Sequence, residues 1–211
     1  LLFLTMSNQR IYVQRTKLFT PEASAYFLTL AEPKHFDSSD ELGSYSLTVT
    51  LDPEENGEFI QSIEADAEEL YTEYAQELGK PKIGRRPSIT PMKDEEDSEG
   101  HATGMVHFKL TTKAHRRRNG ELVAVSVPVV DTAGKVVPKE VLKRMTRGTK
   151  VVASFDLSGY YMAGQFGTSA RLRAVQVREP VFRDSDPVDD FSGLNTEGFT
   201  VDSDASDMDF A

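Results

Sequence analysis

The sequence predicts a mainly β protein: a small closed or partly open barrel with one amphipathic helix and a disordered acidic C-terminal tail. Three observations predict it. About seven short stretches alternate polar and apolar residues, which is the period of half-buried strands. They do not alternate with helices, so the βαβ rhythm of a parallel sheet is missing. Residues 184–211 hold nine Asp or Glu and no Lys or Arg, a composition too polar to bury a core of its own.

Each element has its own signal. Met6 followed by SNQR reads as a natural start, so residues 1–5 are expected to be an upstream extension. RIYVQRTKLF, 10–19, alternates as a strand, and Pro21 leads a turn into a second strand, AYFLTL, 25–30. YSLTVTL, 45–51, places Tyr45, Leu47, Val49 and Leu51 on one face. DPEENGE opens a helix in which Ile60, Ile63, Ala67, Leu70, Tyr74 and Leu78 recur at three- and four-residue steps, with Gly79 and Pro81 as stop signals. Its other face, Glu64, Asp66, Glu68, Glu69, Glu73 and Glu77, reads as a solvated acidic surface.

Residues 80–103 show no periodicity; three prolines and the run DEEDSE predict a long loop. GMVHFKLTTKA, 104–114, is the next strand. Asn119-Gly120 in HRRRNGEL is a hairpin turn, and LVAVSVPVV, 122–130, is the return strand. A turn at 131–134 and a short helix from Pro138, with Val141, Leu142 and Met145 as its stripe, lead to a last hairpin. That hairpin joins 150–162 to 169–180 around AGQFGT. The domain boundaries that follow are 8–183 for the folded body and 184–211 for the tail.

Charge is distributed unevenly. The 211 residues carry a formal net charge of −10, yet residues 101–183 hold 15 Lys+Arg against 5 Asp+Glu. A basic half is thus accompanied by a separable acidic segment. Within the basic half, Lys109, Lys113, His115 and the triplet Arg116, Arg117 and Arg118 share a strand and its turn, a platform suited to phosphates. Tyr160, Tyr161 and Phe166 are interleaved with Arg171 and Arg173. Rings that stack bases beside cations that follow a backbone are the ingredients of single-strand binding. On a strand Tyr160 and Tyr161 point to opposite faces, so at least one is expected in the core.

Enzymatic signals are weak. The sequence has no GxxxxGK[ST] cradle and no GxSxG elbow. Its four histidines lack zinc spacing, and cysteine is absent. The expectation is therefore no catalytic residue, no metal and no cofactor. A protein-interaction or virion-associated module, and a Mg²⁺-dependent nuclease using the acidic clusters, remain as alternatives. No apolar run reaches the ~18 residues of a membrane span, so no membrane partner is expected.

The tail combines acids with aromatics. Asp202, Asp204, Asp207 and Asp209 precede a penultimate Phe210. The acids select a basic rim and the ring can enter an apolar pocket. The same segment can stand in for a nucleic-acid strand on the protein's own cationic surface.

KLFTPEASAYFLTL, YSLTVTLDP, VVDTAGKVVP, RGTKVVASFDLSGYYM and GTSARLRAVQV together resemble the single-stranded DNA-binding proteins of tailed bacteriophages, of the short-tailed, autonomously replicating type and the related Enc-type phage family. These stretches cover most of residues 15–180. Phe210 is followed by Ala211, whereas an aromatic ends the family's pattern. The resemblance implies an OB-type barrel and sequence-independent binding of single-stranded DNA in phage replication, recombination and repair. It further implies a homodimer in some members, and a tail that contacts the phage DNA polymerase and the primase-helicase. It places the protein in the cytoplasm of an infected bacterial host, and the lack of cysteine fits such a reducing compartment.

Overall fold

The computed structural model describes residues 13–35, 40–80, 83–118 and 120–183. Strand β1 (Gln14–Phe19) and strand β2 (Ala23–Lys34) run one after the other along strand β10 (Lys150–Met162), antiparallel to it. The jog between them falls at Pro21, which has no N–H to give a ladder. Strand β2 then leaves β10 and pairs with β3 (Ser44–Leu51), which pairs with β6 (Ala102–Lys113). Strand β11 (Gln165–Glu179) runs parallel to β6 and antiparallel to β10. The ring β2-β3-β6-β11-β10 therefore closes on itself. Five strands in this order, with one parallel contact, form an OB-type barrel.

Alternation decides what fills it. Leu47, Val49, Leu51, Phe108, Leu110, Val151, Ala153, Phe155 and Leu157 point inward and are fully buried. Helix α1 (Pro53–Glu77) covers them with the stripe read from the sequence: Ile63, Ala67, Leu70 and Tyr74 are buried. Phe59 meets the edges of Phe108 and Phe155 at ring separations of 5.6 and 6.4 Å. The Asp52 side chain accepts the Glu54 N–H at 2.9 Å and Pro53 starts the first turn, an N-terminus specified locally. Gly79, at φ +63°, provides the left-handed residue that ends the helix. The acidic face is more than solvated surface. Arg15 on β1 reaches Glu73 at 2.7 Å and Glu69 at 2.9 Å, and this clamp ties the helix to the barrel. Those hydrogen bonds hold the Glu73 carboxyl below its ordinary range, whereas burial pushes Asp66 above its own.

Three expectations need correction. Residues 80–103 are not one long loop. Strand β4 (Gly84–Arg85) runs parallel to β11, and strand β5 (Met92–Glu96) pairs with the part of β6 that β11 leaves open. The Asp97 carboxylate accepts N–H groups from Glu99 and His101 and so builds the β5–β6 turn. Residues 122–130 are not one return strand either. Strands β7 (His115–Arg118) and β8 (Glu121–Ala124) form a separate two-stranded ribbon. The chain then loses its ladder before Pro128, and β9 (Val129–Val130) runs parallel to β11. Finally, the last hairpin turns on Ala163 and Gly164 alone, both at positive φ, so QFGT belongs to β11. Helix α2 (Lys139–Arg144) follows the turn at Asp131, as its stripe predicts.

Candidate nucleic-acid interface

The outward residues of the ring form a second, polar surface. Cross-strand register aligns Thr29, Ser46, Thr111, Arg171 and Asp156 in one row across five strands. Neighbouring rows add Phe27, Thr48 and Lys109, and Ser158 and Ser169. Two concavities of about 460 and 490 Å³ lie on this face and share Ser44, Thr111 and Lys113. They form a groove running from Phe27 and Lys109 across β3, β6 and β11 to Ser158 and Tyr160.

The structure brings Lys109, Lys113, Arg116, Arg171 and Tyr160 together in this groove. Their charges are not equally free. Lys113 reaches Asp40 at 3.4 Å, and Arg117 binds Glu41, so both contact the connection between β2 and β3. The His115 ring sits 3.1 Å from the Leu42 carbonyl, which anchors the base of the ribbon. Arg171 and Arg173 both bind Asp156, the latter at 3.0 Å. Lys109, Arg116 and Arg118 form no ion pair among the described residues.

Asp156 organises this arrangement. Its side chain is buried, in a strand where Phe155 and Leu157 on either side are buried too. The strand slips register at Ser154/Phe155, and β1 bulges opposite, with Lys17 at φ +59°. The bulge lets the Lys17 N–H donate to Asp156 Oδ1 at 3.0 Å. Burial pushes the carboxyl up, but Arg171, this N–H and Arg173 together hold it below the ordinary carboxylate range.

The aromatic expectations divide. Phe166 is fully buried between Tyr71 and Tyr74, 5.5 Å from each ring, and offers no face to a base. Tyr160 and Tyr161 do point to opposite sides, yet neither is fully buried. Tyr161 is 42% exposed on the core side of the hairpin, its ring 6.0 Å from Tyr74. Tyr160 alone faces the groove.

Two residues were missed, Phe27 in the groove and Arg86 against one of its lining rings. Phe27 is 47% exposed and lines the groove with Lys109. Alternation over 26–30 was the available signal, since it sets Phe27 apart from Leu28 and Leu30. Arg86, from the presumed loop, packs its guanidinium 5.1 Å above the Tyr160 ring. Asp202, Asp204, Asp207, Asp209 and Phe210 lie outside the described residues. Among the described residues no group of three or more His, Asp or Glu is placed to hold a metal ion, and no helix is long and apolar enough to cross a membrane.

No family model matches the chain, and no curated protein matches it. Among solved structures it is similar to gp2.5, a single-stranded DNA-binding protein encoded by bacteriophage T7. That likeness has 18% identity and a TM-score of 0.62, over 90% of this chain and 100% of that one. It is also similar to the single-stranded DNA-binding protein from bacteriophage Enc34 in complex with single-stranded DNA, at 16% identity and a TM-score of 0.57, over 83% of this chain and 88% of that one. A C-terminal truncation of the Enc34 protein gives 14% identity and a TM-score of 0.55, over 83% and 87%. At these identities the likeness shows a shared mainly β, OB-like fold.

Proposed function

We propose that the chain is a non-enzymatic protein that binds single-stranded DNA without sequence preference, in phage DNA replication, recombination and repair. One observation carries this reading: a groove lined by hydroxyls and cations crosses the barrel, with one aromatic ring in each of its two concavities. Neither concavity is lined by Asn or Gln, the side chains that pair bidentately with adenine. Ser, Thr, Lys and Arg hold a backbone, while Phe27 and Tyr160 supply faces on which any base stacks. That a protein of similar fold has been crystallised with single-stranded DNA supports the same reading.

Lys109, Lys113, Arg116 and Arg118 are the phosphate ligands, and Arg171 and Arg173 act in a form already tempered by Asp156. The acidic tail would regulate access and recruit replication proteins, among them the polymerase and the primase-helicase. A homodimer is part of the reading only so far as the resemblance implies it.

A gel shift comparing oligo-dT, duplex and RNA, with and without Mg²⁺, tests it. Retardation of oligo-dT at low salt, a log–log salt slope of about −2 to −4 and intact DNA are the expected result. No shift at low salt would favour a protein-interaction module. Cleavage on adding Mg²⁺ would favour a nuclease.

A further inference from the structure

Arg86 is held in an unusual state. Its Nε is buried and finds no hydrogen-bond partner. Among the described residues no carboxylate meets its guanidinium, whereas Arg15, Arg85, Arg117, Arg147, Arg171 and Arg173 each have one. A buried donor left without an acceptor is costly and rare.

Its position is nonetheless well fixed. The Arg86 N–H donates to the Phe166 carbonyl at 3.0 Å, which continues the parallel pairing of β4 with β11. The side chain crosses Gly167 and ends above Tyr160. A Cβ at Gly167 would lie 2.9 Å from both Arg86 Cδ and Tyr160 Oη, so only glycine lets strand, ring and guanidinium pack this closely.

We propose that Arg86 and Tyr160 form a nucleotide subsite at the end of the groove. Arg86 receives a phosphate oxygen on its terminal Nη groups, the buried Nε being closed to it, and Tyr160 carries the adjoining base. The subsite rests on the single-strand reading above and extends the contact path past the cations read from the sequence. A planar guanidinium suits a phosphate because two N–H groups can meet two oxygens at once.

The alternative is that Arg86 merely supports the Tyr160 ring, and the two roles separate experimentally. Full-length protein would be titrated with oligo-dT and with an abasic oligomer of equal phosphate number, across a range of salt. For Arg86→Gln, affinity should fall about five- to tenfold for both strands, and the log–log salt slope should shallow by about 0.7, one phosphate's share on a single strand. For Tyr160→Leu, binding to dT should fall at least about fivefold, while binding to the abasic strand and the salt slope should be retained. Arg86→Lys keeps a charge without the fork and should keep the slope, so it serves as the second variant if the glutamine variant does not fold. If Arg86→Gln loses affinity only for dT and keeps the slope, or Arg86→Lys loses affinity for dT but not for the abasic strand, Arg86 is a support for Tyr160 and the subsite is wrong. Failure of the unaltered protein to bind either strand would remove the single-strand reading itself, and the subsite with it.

Discussion

At the scale of the residue, Asp156 links stability to charge on the groove. It is a buried carboxylate that accepts from two half-exposed arginines and one backbone N–H. Replacing it with Asn should cost about 1.5–3 kcal/mol, the range for hydrogen bonds to a charged group. The same change frees Arg171 and Arg173, so single-strand affinity should rise several-fold and the salt slope should steepen. Chemical denaturation and salt titration of Asp156→Asn check both halves; a variant that is less stable and also binds more weakly refutes the tempering role. The pH dependence has a definite sign. Because the folded carboxyl titrates below its unfolded value of about 3.9, its contribution is complete above that pH. It is lost as pH falls through the lower folded value, so the asparagine variant should lack that acid limb. Little of this was legible, although a lone acid in VVASFDLSGYYM, a stretch with no other charge, was a usable signal. Phe166 was misread for a related reason. Its facing depends on whether the hairpin loop holds two residues or six, and composition alone does not set that register.

At the scale of the element, legibility followed periodicity. Helix α1 was readable because burial on one side imposes three- and four-residue steps, and β3 because one face is core. Strand β5 was hidden because an edge strand can be charged: Lys93, Asp94 and Glu96 face solvent and prevent further pairing. The ribbon β7–β8 shows how far local signals go. The strands pair up to Arg118 and Glu121, with Gly120 at positive φ and Asn119 outside the described residues, but the ribbon's separation from the barrel sheet was not foreseen. The arginine triplet is therefore not three equal ligands, since Arg117 is bound to Glu41 while Arg116 faces the groove. Changing all three to Ala should shallow the salt slope by about 1.4, or two phosphate equivalents on a single strand, rather than three. A fluorescence-anisotropy series over salt would measure it. A loss of three full equivalents would mean that Glu41 releases Arg117 when DNA binds.

At the scale of the whole molecule, closure of the barrel was the least legible feature. It depends on a parallel contact between Ala170 and Leu110, residues far apart in sequence, and local pattern does not encode such a pairing. What the sequence did show is the separation of charge, and this supports the last prediction. With 184–211 removed, the formal net charge rises from −10 to −1, and the remaining acids are concentrated in residues 1–100, whereas most groove cations come from residues 101–183. Any random coil of 28 residues spans about 30 Å, against a radius of gyration near 16 Å for a body of this size. A tail of that reach would meet the groove of its own domain and, on the proposed reading, compete there with DNA at millimolar effective concentration. Deleting 184–211 should tighten oligo-dT binding about tenfold at low salt, with the gain shrinking as salt screens the tail. It should also flatten the response to competing polyanions. A synthetic peptide of residues 184–211, added in trans to the truncated protein, should restore weaker binding at millimolar levels. Equal affinities of the full and truncated chains at low salt would show that the acidic segment does not share the groove with DNA, and its role would then be confined to partners.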